Sequence, residues 1–187
     1  MHDRNNGTGK IQMKIDKGHT FLGVSSEVLS LPARKYIIEY FEDNKRYLEE
    51  NYNVMKTWQC LVPPDDELLW EMAHKIMHHC SRVTNRKYTI NSGKFIDYVE
   101  GSYCKGHADN PDASHLSVIV MIDISDDLVG GEAYFARDRS SAQTHKMVPG
   151  PLSSGDCLMY GYNVHHGVEK VIRGRRLVGV LWLTEVE

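Results

Sequence analysis

The stretch that decides the fold is Tyr103–Ser125, which reads YCKGHADNPDASHLSVIVMIDIS. Its second half is an apolar run rich in β-formers, which predicts a central β-strand. Its first half places His107 and Asp109 one residue apart, among glycine, alanine and asparagine. Side chains at positions i and i+2 of an extended chain point to the same side, so both can contact one ion. The stretch therefore predicts a metal held between strands.

A third ligand must come from a neighbouring strand, and the segment NVHHGVEKV offers His165 and His166, 58 or 59 residues after His107. Two neutral imidazoles and one carboxylate can occupy one face of an octahedron and leave three positions open. That arrangement is associated with non-haem Fe(II) oxygenases. At this point either histidine can complete the set.

Two helices are predicted before the first strands. Residues 28–52 place apolar side chains near a helical period, and Pro32 falls where a first turn tolerates proline. Residues 64–82 begin with prolines and acidic residues, as a helix amino terminus prefers. This second helix carries His74, His78 and His79, which we interpret as structural or solvated because no carboxylate or cysteine accompanies them.

After Asn85 the sequence changes to short apolar or alternating runs broken by glycine, proline, asparagine and aspartate. Such runs predict several strands of a sandwich or barrel. Helices followed by strands indicate an α+β fold, with the helices packed on an antiparallel β core. We expect a flexible amino-terminal segment, 1–18, and a single domain over 19–187.

The composition limits the functional classes. A formal net charge of −3, from 22 basic and 25 acidic residues, gives no positive field for nucleic-acid binding. No apolar run approaches the roughly 20 residues that cross a bilayer, so no membrane partner is expected. The four cysteines are widely spaced, with no CxxC pair and no secretory signal peptide, which predicts reduced thiols and a cytoplasmic location.

Residues from about Phe95 onward resemble the double-stranded β-helix of the 2-oxoglutarate and Fe(II)-dependent dioxygenases, in particular the prolyl 4-hydroxylase-like group. The pattern of that group runs tyrosine, glycine, His-x-Asp, Gly-Gly, a Gly-Asp turn, then His-x-Val-x-x-Val-x-x-Gly-x-Arg/Lys and a tryptophan. This chain reads YVEGSYCKGHAD, GGEAYF, SSGDCLMY and HGVEKVIRGRRLVGVLW in the same order. The resemblance implies a jelly-roll or cupin-like core with supporting amino-terminal helices.

Matched residue by residue, the resemblance makes His107, Asp109 and His166 the metal ligands and the catalytic residues. His166 is preferred to His165 because only a count that starts at His166 places the residues that follow at the positions of the family pattern. Those residues are Val168, Val171, Gly174 and Arg176.

By the same count Arg176, not Arg175, would hold the distal carboxylate of 2-oxoglutarate with two parallel hydrogen bonds. Tyr98 occupies the family position whose hydroxyl contacts the cosubstrate. Strand alternation places Val178, Val180 and Trp182 on the same face as Arg176.

The resemblance implies hydroxylation of an unactivated C–H bond with release of succinate and CO₂. The cofactors would be Fe(II), 2-oxoglutarate and O₂, and ascorbate is left open as a stimulatory addition. Asp109 favours hydroxylation over the chlorination of the related halogenases, which have a small residue at this position. No general base is required by this chemistry, and none is assigned.

Two departures from the prolyl hydroxylases weaken a prolyl substrate: Arg176 stands where lysine is common, and Ala133 where threonine is common. A compact chain with no added peptide-binding domain fits a free substrate, so a small molecule, an amino acid or a derivative, is expected. The alternatives are a hydroxylase of a peptidyl residue, a cupin-like isomerase or hydrolase with another divalent metal, and a metabolite sensor without activity. The oligomeric state is left open.

Three segments are predicted to be loops that determine substrate specificity: 58–66, 110–115 and 136–151. His115 and His145 are further candidates for substrate contact, with a surface position as the simpler interpretation.

Overall fold

The computed structural model describes residues 22–49, 55–63, 65–112, 114–136, 146 and 148–187. The expected flexible segment 1–18 lies outside the described residues, and the single domain over 19–187 stays a prediction. In the part described, neither helix is long and apolar enough to cross a membrane.

The first helix, α1, spans Leu31–Asn44, shorter than the predicted 28–52. It begins with Pro32 in its first turn and buries Ile37 and Phe41, one turn apart. At Lys45 the backbone becomes extended, and Arg46–Glu49 forms a strand instead. Hydrogen bonding to a neighbouring strand therefore outweighs the helical period of the sequence at this point.

The second helix, α2, spans Glu67–Thr84 and was predicted from residue 64. It begins after Asp66, whose side chain accepts a hydrogen bond from the backbone N–H of Leu69 at 2.9 Å. It ends at Asn85, which adopts the left-handed conformation with φ of 56°. Its buried face is formed by Leu69, Met72, Ala73, Ile76, Met77 and Cys80.

Within the described residues, twelve strands accompany the two helices, in agreement with the predicted α+β class. They are β1 (Leu22–Ser25), β2 (Arg46–Glu49), β3 (Met55–Leu61), β4 (Tyr88–Tyr98), β5 (Tyr103–His107), β6 (Leu116–Ile124), β7 (Val129–Gly130), β8 (Ala133–Ala136), β9 (Cys157–Gly161), β10 (His165–Val168), β11 (Val171–Arg173) and β12 (Arg176–Glu185).

Ten of these strands form one antiparallel sheet in the order β1-β9-β6-β12-β4-β3-β5-β10-β8, with β2 paired to β3. Strands β7 and β11 form a separate pair. Strand β3 links the two halves of the large sheet, because Trp58–Leu61 pair with β4 and Met55 and Lys56 pair with β5. The predicted loop 58–66 is therefore wrong in its first half, where the chain is hydrogen-bonded as a strand.

Strand β12 separates two apolar cores. Leu177, Leu181 and Leu183 pack on the side that carries both helices. Val178 and Val180 pack on the other side, with residues of β4, β6 and β9 and also of β5, β8 and β10. The two ends of the sheet thus face each other across a shared interior, and the candidate residues Tyr98, His107, Asp109 and His166 line a cavity in it.

Candidate metal centre

Strands β5 and β10 bring two histidines together. His107 is the last residue of β5, and its partner in the antiparallel register is His166 of β10. Directly opposed residues of an antiparallel pair have neighbouring side chains, and the two imidazole centroids are 4.4 Å apart. A separation of 59 residues in sequence becomes a direct cross-strand contact.

Asp109 follows two residues after the end of β5 and turns towards both histidines. Its Oδ1 lies 3.9 Å from Nε2 of His107 and 3.9 Å from Nε2 of His166. The three potential ligand atoms lie within 4.8 Å of one another. One divalent ion can therefore contact all three side chains, and within the described residues this is the one such group of three or more.

Backbone carbonyls fix the orientation of both rings. Nδ1 of His107 lies 3.0 Å from the carbonyl oxygen of Lys105, and Nδ1 of His166 lies 2.9 Å from that of Val164. A carbonyl only accepts, so each Nδ1 carries the hydrogen and each Nε2 presents its lone pair to the centre. This is the outer hydrogen bonding that metal-bound histidines commonly have.

Burial keeps His166 neutral. Desolvation, with a further contribution from His107, lowers the pKa of His166 to about 4. At neutral pH its imidazole is therefore uncharged and able to coordinate a metal without first losing a proton.

A hydroxyl network orients the carboxylate. Ser117, fully buried in β6, donates its hydroxyl hydrogen to Oδ2 of Asp109 and leaves Oδ1 facing the histidines. The hydroxyls of Ser117 and Ser114 are 3.1 Å apart. The ring of Tyr160 packs 4.4 Å from that of His166. Sequence reasoning missed Ser117 and Tyr160. The one signal in the sequence was the position of Ser117, a serine inside the apolar run of β6.

Arg176 and Tyr98 are cross-strand partners on β12 and β4. Arg176 is only 4% exposed, its Cζ lies 5.4 Å from the Tyr98 ring centroid, and its Nη1 donates to the carbonyl of Gly131. Gly131 has φ of +71°, a conformation that glycine favours, and this directs the carbonyl at the guanidinium. The Gly-Gly motif thus positions the arginine.

Two further nitrogens of Arg176, Nε and Nη2, are buried and have no hydrogen-bond partner within the described part of the chain. Nε and Nη2 form one side of the guanidinium fork, which matches a carboxylate bidentately. Burial also lowers the pKa of Arg176, which reflects the cost of a desolvated cation. An anionic ligand would accept hydrogen bonds from both donors and balance the positive charge of the guanidinium.

The two neighbouring candidates have other partners. Nε of Arg175 donates to both oxygens of Asp97 at 2.9 and 3.0 Å, and its Nη2 donates to Glu42 at 2.5 Å. His165 lies on the opposite face of β10 from His166, with its ring against Gly106. The structure thus places Arg176 and His166, rather than Arg175 and His165, in the interior.

Two cavities share the lining residue Ala133. The first, of about 180 Å³, is lined by the three candidate ligands, Tyr98 and a set of mostly apolar side chains. The second, of about 450 Å³, is lined by Arg176, the Gly-Gly segment and residues 148–152. Ala133 lines both cavities, so a ligand that reached from the metal to Arg176 would pass this residue.

The remaining histidine candidates lie elsewhere. Nδ1 of the exposed His74 lies 2.9 Å from the Trp70 carbonyl, within one helical turn. Nδ1 of His115 accepts from the backbone N–H of Glu185 at 2.9 Å, which is a structural contact. His145 and most of the predicted loop 136–151 lie outside the described residues.

No protein-family model matches the sequence, and no curated protein does. Solved structures do match. An oxidoreductase of the 2OG-Fe(II) oxygenase family from Burkholderia pseudomallei superposes with a TM-score of 0.69 at 13% identity, covering 95% of this chain and 96% of its own. A prolyl-4-hydroxylase from Pseudomonas putida gives 0.64 at 12% identity, with coverages of 90% and 94%.

HygX from Streptomyces hygroscopicus, solved with nickel, 2-oxoglutarate and hygromycin B bound, gives a TM-score of 0.66 at 13% identity, with coverages of 88% and 83%. Several further neighbours are prolyl hydroxylases. The described architecture, two helices on antiparallel strands that enclose a shared interior, therefore has the double-stranded β-helix fold of the 2OG-Fe(II) oxygenases, as the sequence predicted.

Proposed function

We propose that this protein is a non-haem iron dioxygenase that uses 2-oxoglutarate and O₂ to hydroxylate an unactivated C–H bond, releasing succinate and CO₂. The observation that carries the proposal is the joint presence, in one β-helix interior, of the His107, Asp109 and His166 group and of a buried Arg176 with two unfilled donors. Metal-binding triads occur in many enzymes and buried arginines in many anion sites, whereas the two together match a metal and a dianionic cosubstrate.

The donor set supports Fe(II). Two imidazoles with their Nδ1 atoms held by carbonyls and one carboxylate with a single oxygen facing inward supply three ligands. A 2-His-1-carboxylate set with open positions is the arrangement of non-haem Fe(II) oxygenases. His107, Asp109 and His166 would hold the ion, and the iron would supply the activation of O₂.

The cavity lined by Arg176 and Ala133 supports the use of 2-oxoglutarate as the cosubstrate. Nε and Nη2 of Arg176 would hold the distal carboxylate, and Tyr98 packs against the same guanidinium. The protein's part in the reaction is to bind and orient: Gly131 fixes Arg176, Ser117 fixes Asp109, and the apolar lining limits access of water to the metal.

The substrate proposed is a free amino acid or another small metabolite. HygX, a structural neighbour, was solved with hygromycin B, whereas other neighbours are prolyl hydroxylases. Ala133 stands where threonine is common in the latter group, which weakens the case for a prolyl substrate. We also propose a cytoplasmic location, which rests on the cysteines: all four are free thiols.

The test is anaerobic addition of Fe(II) and 2-oxoglutarate to the purified protein, with detection of the weak visible metal-to-ligand charge-transfer band, followed by admission of O₂ and assay of succinate. His166→Ala should abolish both signals. His165→Gln is the matched control and should retain both, because His165 lies on the other face of β10.

Arg176→Ala separates the proposal from a cupin-like hydrolase. An oxygenase should lose the band at 2-oxoglutarate concentrations that saturate the wild type, because its distal carboxylate loses a bidentate partner. A protein that is folded, binds Fe(II) and gives no band with 2-oxoglutarate would overturn the proposal and leave the hydrolase or the sensor.

A further inference from the structure

Ala133 of β8 lies between the candidate metal ligands and Arg176. It lines the cavity that contains the ligands and also the cavity that contains Arg176, and it is the one described residue that lines both. Arg176 lines only the second cavity, and the three candidate ligands line only the first. A single molecule that contacted both the metal and Arg176 would therefore have to pass Ala133.

The chain on either side of Ala133 contacts these two groups. Two residues before it, the carbonyl oxygen of Gly131 accepts a hydrogen bond from Nη1 of Arg176. Two residues after it, Phe135 pairs with His166 in the β8–β10 register, and the centroids of the two rings lie 6.4 Å apart. Ala133 thus stands midway along the segment that runs from the arginine to a metal ligand.

The side chain of Ala133 faces the interior. Side chains alternate along a strand, and Phe135, on the same face of β8, belongs to the same apolar core and lines the metal cavity. Tyr134 lies on the opposite face, where a Cβ added to Gly106 would be 2.9 Å from its hydroxyl oxygen. The tyrosine therefore packs directly on the backbone of β5, and this contact and the β8–β10 pairing fix the position of β8.

The space at Ala133 limits what can pass between the two cavities. Ala133 is only 5% exposed and packs in an apolar core with Met121 and Val178. Apart from Ala133, the two cavities are lined by different residues, which indicates a constriction at this point. In a closely packed interior an added methyl group is already unfavourable. An unbranched methylene chain fits such a constriction, whereas a branched carbon would overlap the alanine.

We infer that Ala133 forms a constriction between the metal and Arg176, and that this constriction selects an unbranched 2-oxo dicarboxylic acid as the cosubstrate. Acids that carry branches on the carbons between the keto group and the distal carboxylate are excluded. The inference rests on the proposed function, because it places the keto acid end at the metal and the distal carboxylate at Arg176. Ala133 is a specificity-determining residue, and the size of its side chain sets the limit.

The experiment uses the full chain loaded anaerobically with Fe(II), and it measures binding through the visible charge-transfer band instead of turnover. The probes are 2-oxoglutarate, its 3,3-dimethyl and 4,4-dimethyl derivatives, and pyruvate. Pyruvate has the same keto acid end but is too short to pass Ala133. The wild type should bind both branched acids at least about tenfold more weakly than 2-oxoglutarate, as overpacking of a buried site predicts.

Two substitutions change the constriction in opposite directions. Ala133→Gly removes the methyl group and should tighten the binding of at least one branched acid about tenfold, while the affinity for 2-oxoglutarate changes less than about threefold. Ala133→Val should weaken the binding of 2-oxoglutarate about tenfold to a hundredfold and leave that of pyruvate unchanged. The affinity for Fe(II), titrated without a keto acid, should be the same in both variants as in the wild type.

Ala136→Gly and Ala136→Val are the matched controls. Ala136 lies on the same strand and is 6% exposed, but it lines neither cavity. Both control variants should keep the wild-type ratio of affinities for branched and unbranched acids. The glycine variant at position 133 tests the inference even where the valine variant does not fold.

Three results would overturn the inference. The wild type could bind both branched acids as tightly as 2-oxoglutarate, Ala133→Gly could leave both of their affinities unchanged, or a folded Ala133→Val protein could bind 2-oxoglutarate as the wild type does. Failure of the proposed function gives a different result, because the wild type with Fe(II) bound would then show no band with 2-oxoglutarate or with pyruvate.

Discussion

At the scale of single residues, the hydroxyl of Ser117 decides which oxygen of Asp109 faces the histidines. Ser117→Ala removes the donor to Oδ2 and frees the carboxylate to rotate. Removal of a hydrogen bond that orients a metal ligand typically costs about ten- to a hundredfold in metal affinity. We expect a loss of that size for Fe(II), measured by anaerobic titration, with Mn(II) as a second ion.

Two variants control this prediction. Ser117→Thr keeps the hydroxyl and should restore most of the affinity, and Ser114→Ala removes only the next hydroxyl of the network and should have a smaller effect. An unchanged Fe(II) affinity in a folded Ser117→Ala protein would show that Asp109 does not need this donor.

The grouping of the three candidate ligands could be predicted from the sequence, whereas their supporting residues could not. His107, Asp109 and His166 belong to a sequence pattern with fixed spacing, in which each position requires one residue type. Ser117 and Tyr160 support them through contacts made across strands β6, β9 and β10. Such contacts depend on strand order, which no local spacing encodes.

At the scale of elements, the approach of β10 to β5 and β8 depends on Gly167. A Cβ at this position would overlap the hydroxyl of Tyr134 on β8 and lie 2.8 Å from the carbonyl oxygen of Cys104 on β5. The backbone atom cannot move without breaking the β5–β10 pairing that opposes His107 to His166.

Gly167→Ala should therefore lower the free energy of unfolding by about 1–3 kcal/mol, the usual cost of overpacking. Denaturant unfolding followed by circular dichroism measures it. Gly150→Ala is the matched control, because a Cβ there meets no atom within 4 Å. Equal stability of the two variants would mean that β10 can shift to accommodate the methyl group.

Strands β2 and β3 show where local patterns mislead. The segment after Asn44 continues a helical period in sequence, and 58–66 has the prolines and acidic residues of a loop. Both contain strands, because Arg46–Glu49 and Met55–Leu61 pair with each other and with the main sheet. The second helix was predicted to within three residues at each end, since Asp66 and Asn85 provide local start and stop signals.

At the scale of the whole molecule, the neutral state of the buried His166 links stability to pH. Burial, reinforced by His107, lowers its pKa to about 4, whereas an exposed histidine titrates near 6.5. Between these values the unfolded chain binds a proton that the folded protein does not. The free energy of unfolding of the metal-free protein must therefore decrease as the pH falls through this window.

The loss assigned to His166 should reach about 2 kcal/mol by pH 5 and about 3 kcal/mol at most. The measurement is denaturant unfolding of the metal-free wild type and of His166→Gln at pH 7.5 and 5.0. Asp97, whose pKa is raised by burial, acts in the opposite direction, because the folded state binds its proton more readily. Asp97 is present in both proteins, so its effect cancels in the comparison. The wild type should lose more stability than the variant over this range, and an equal loss would assign the pH dependence to groups other than the metal centre.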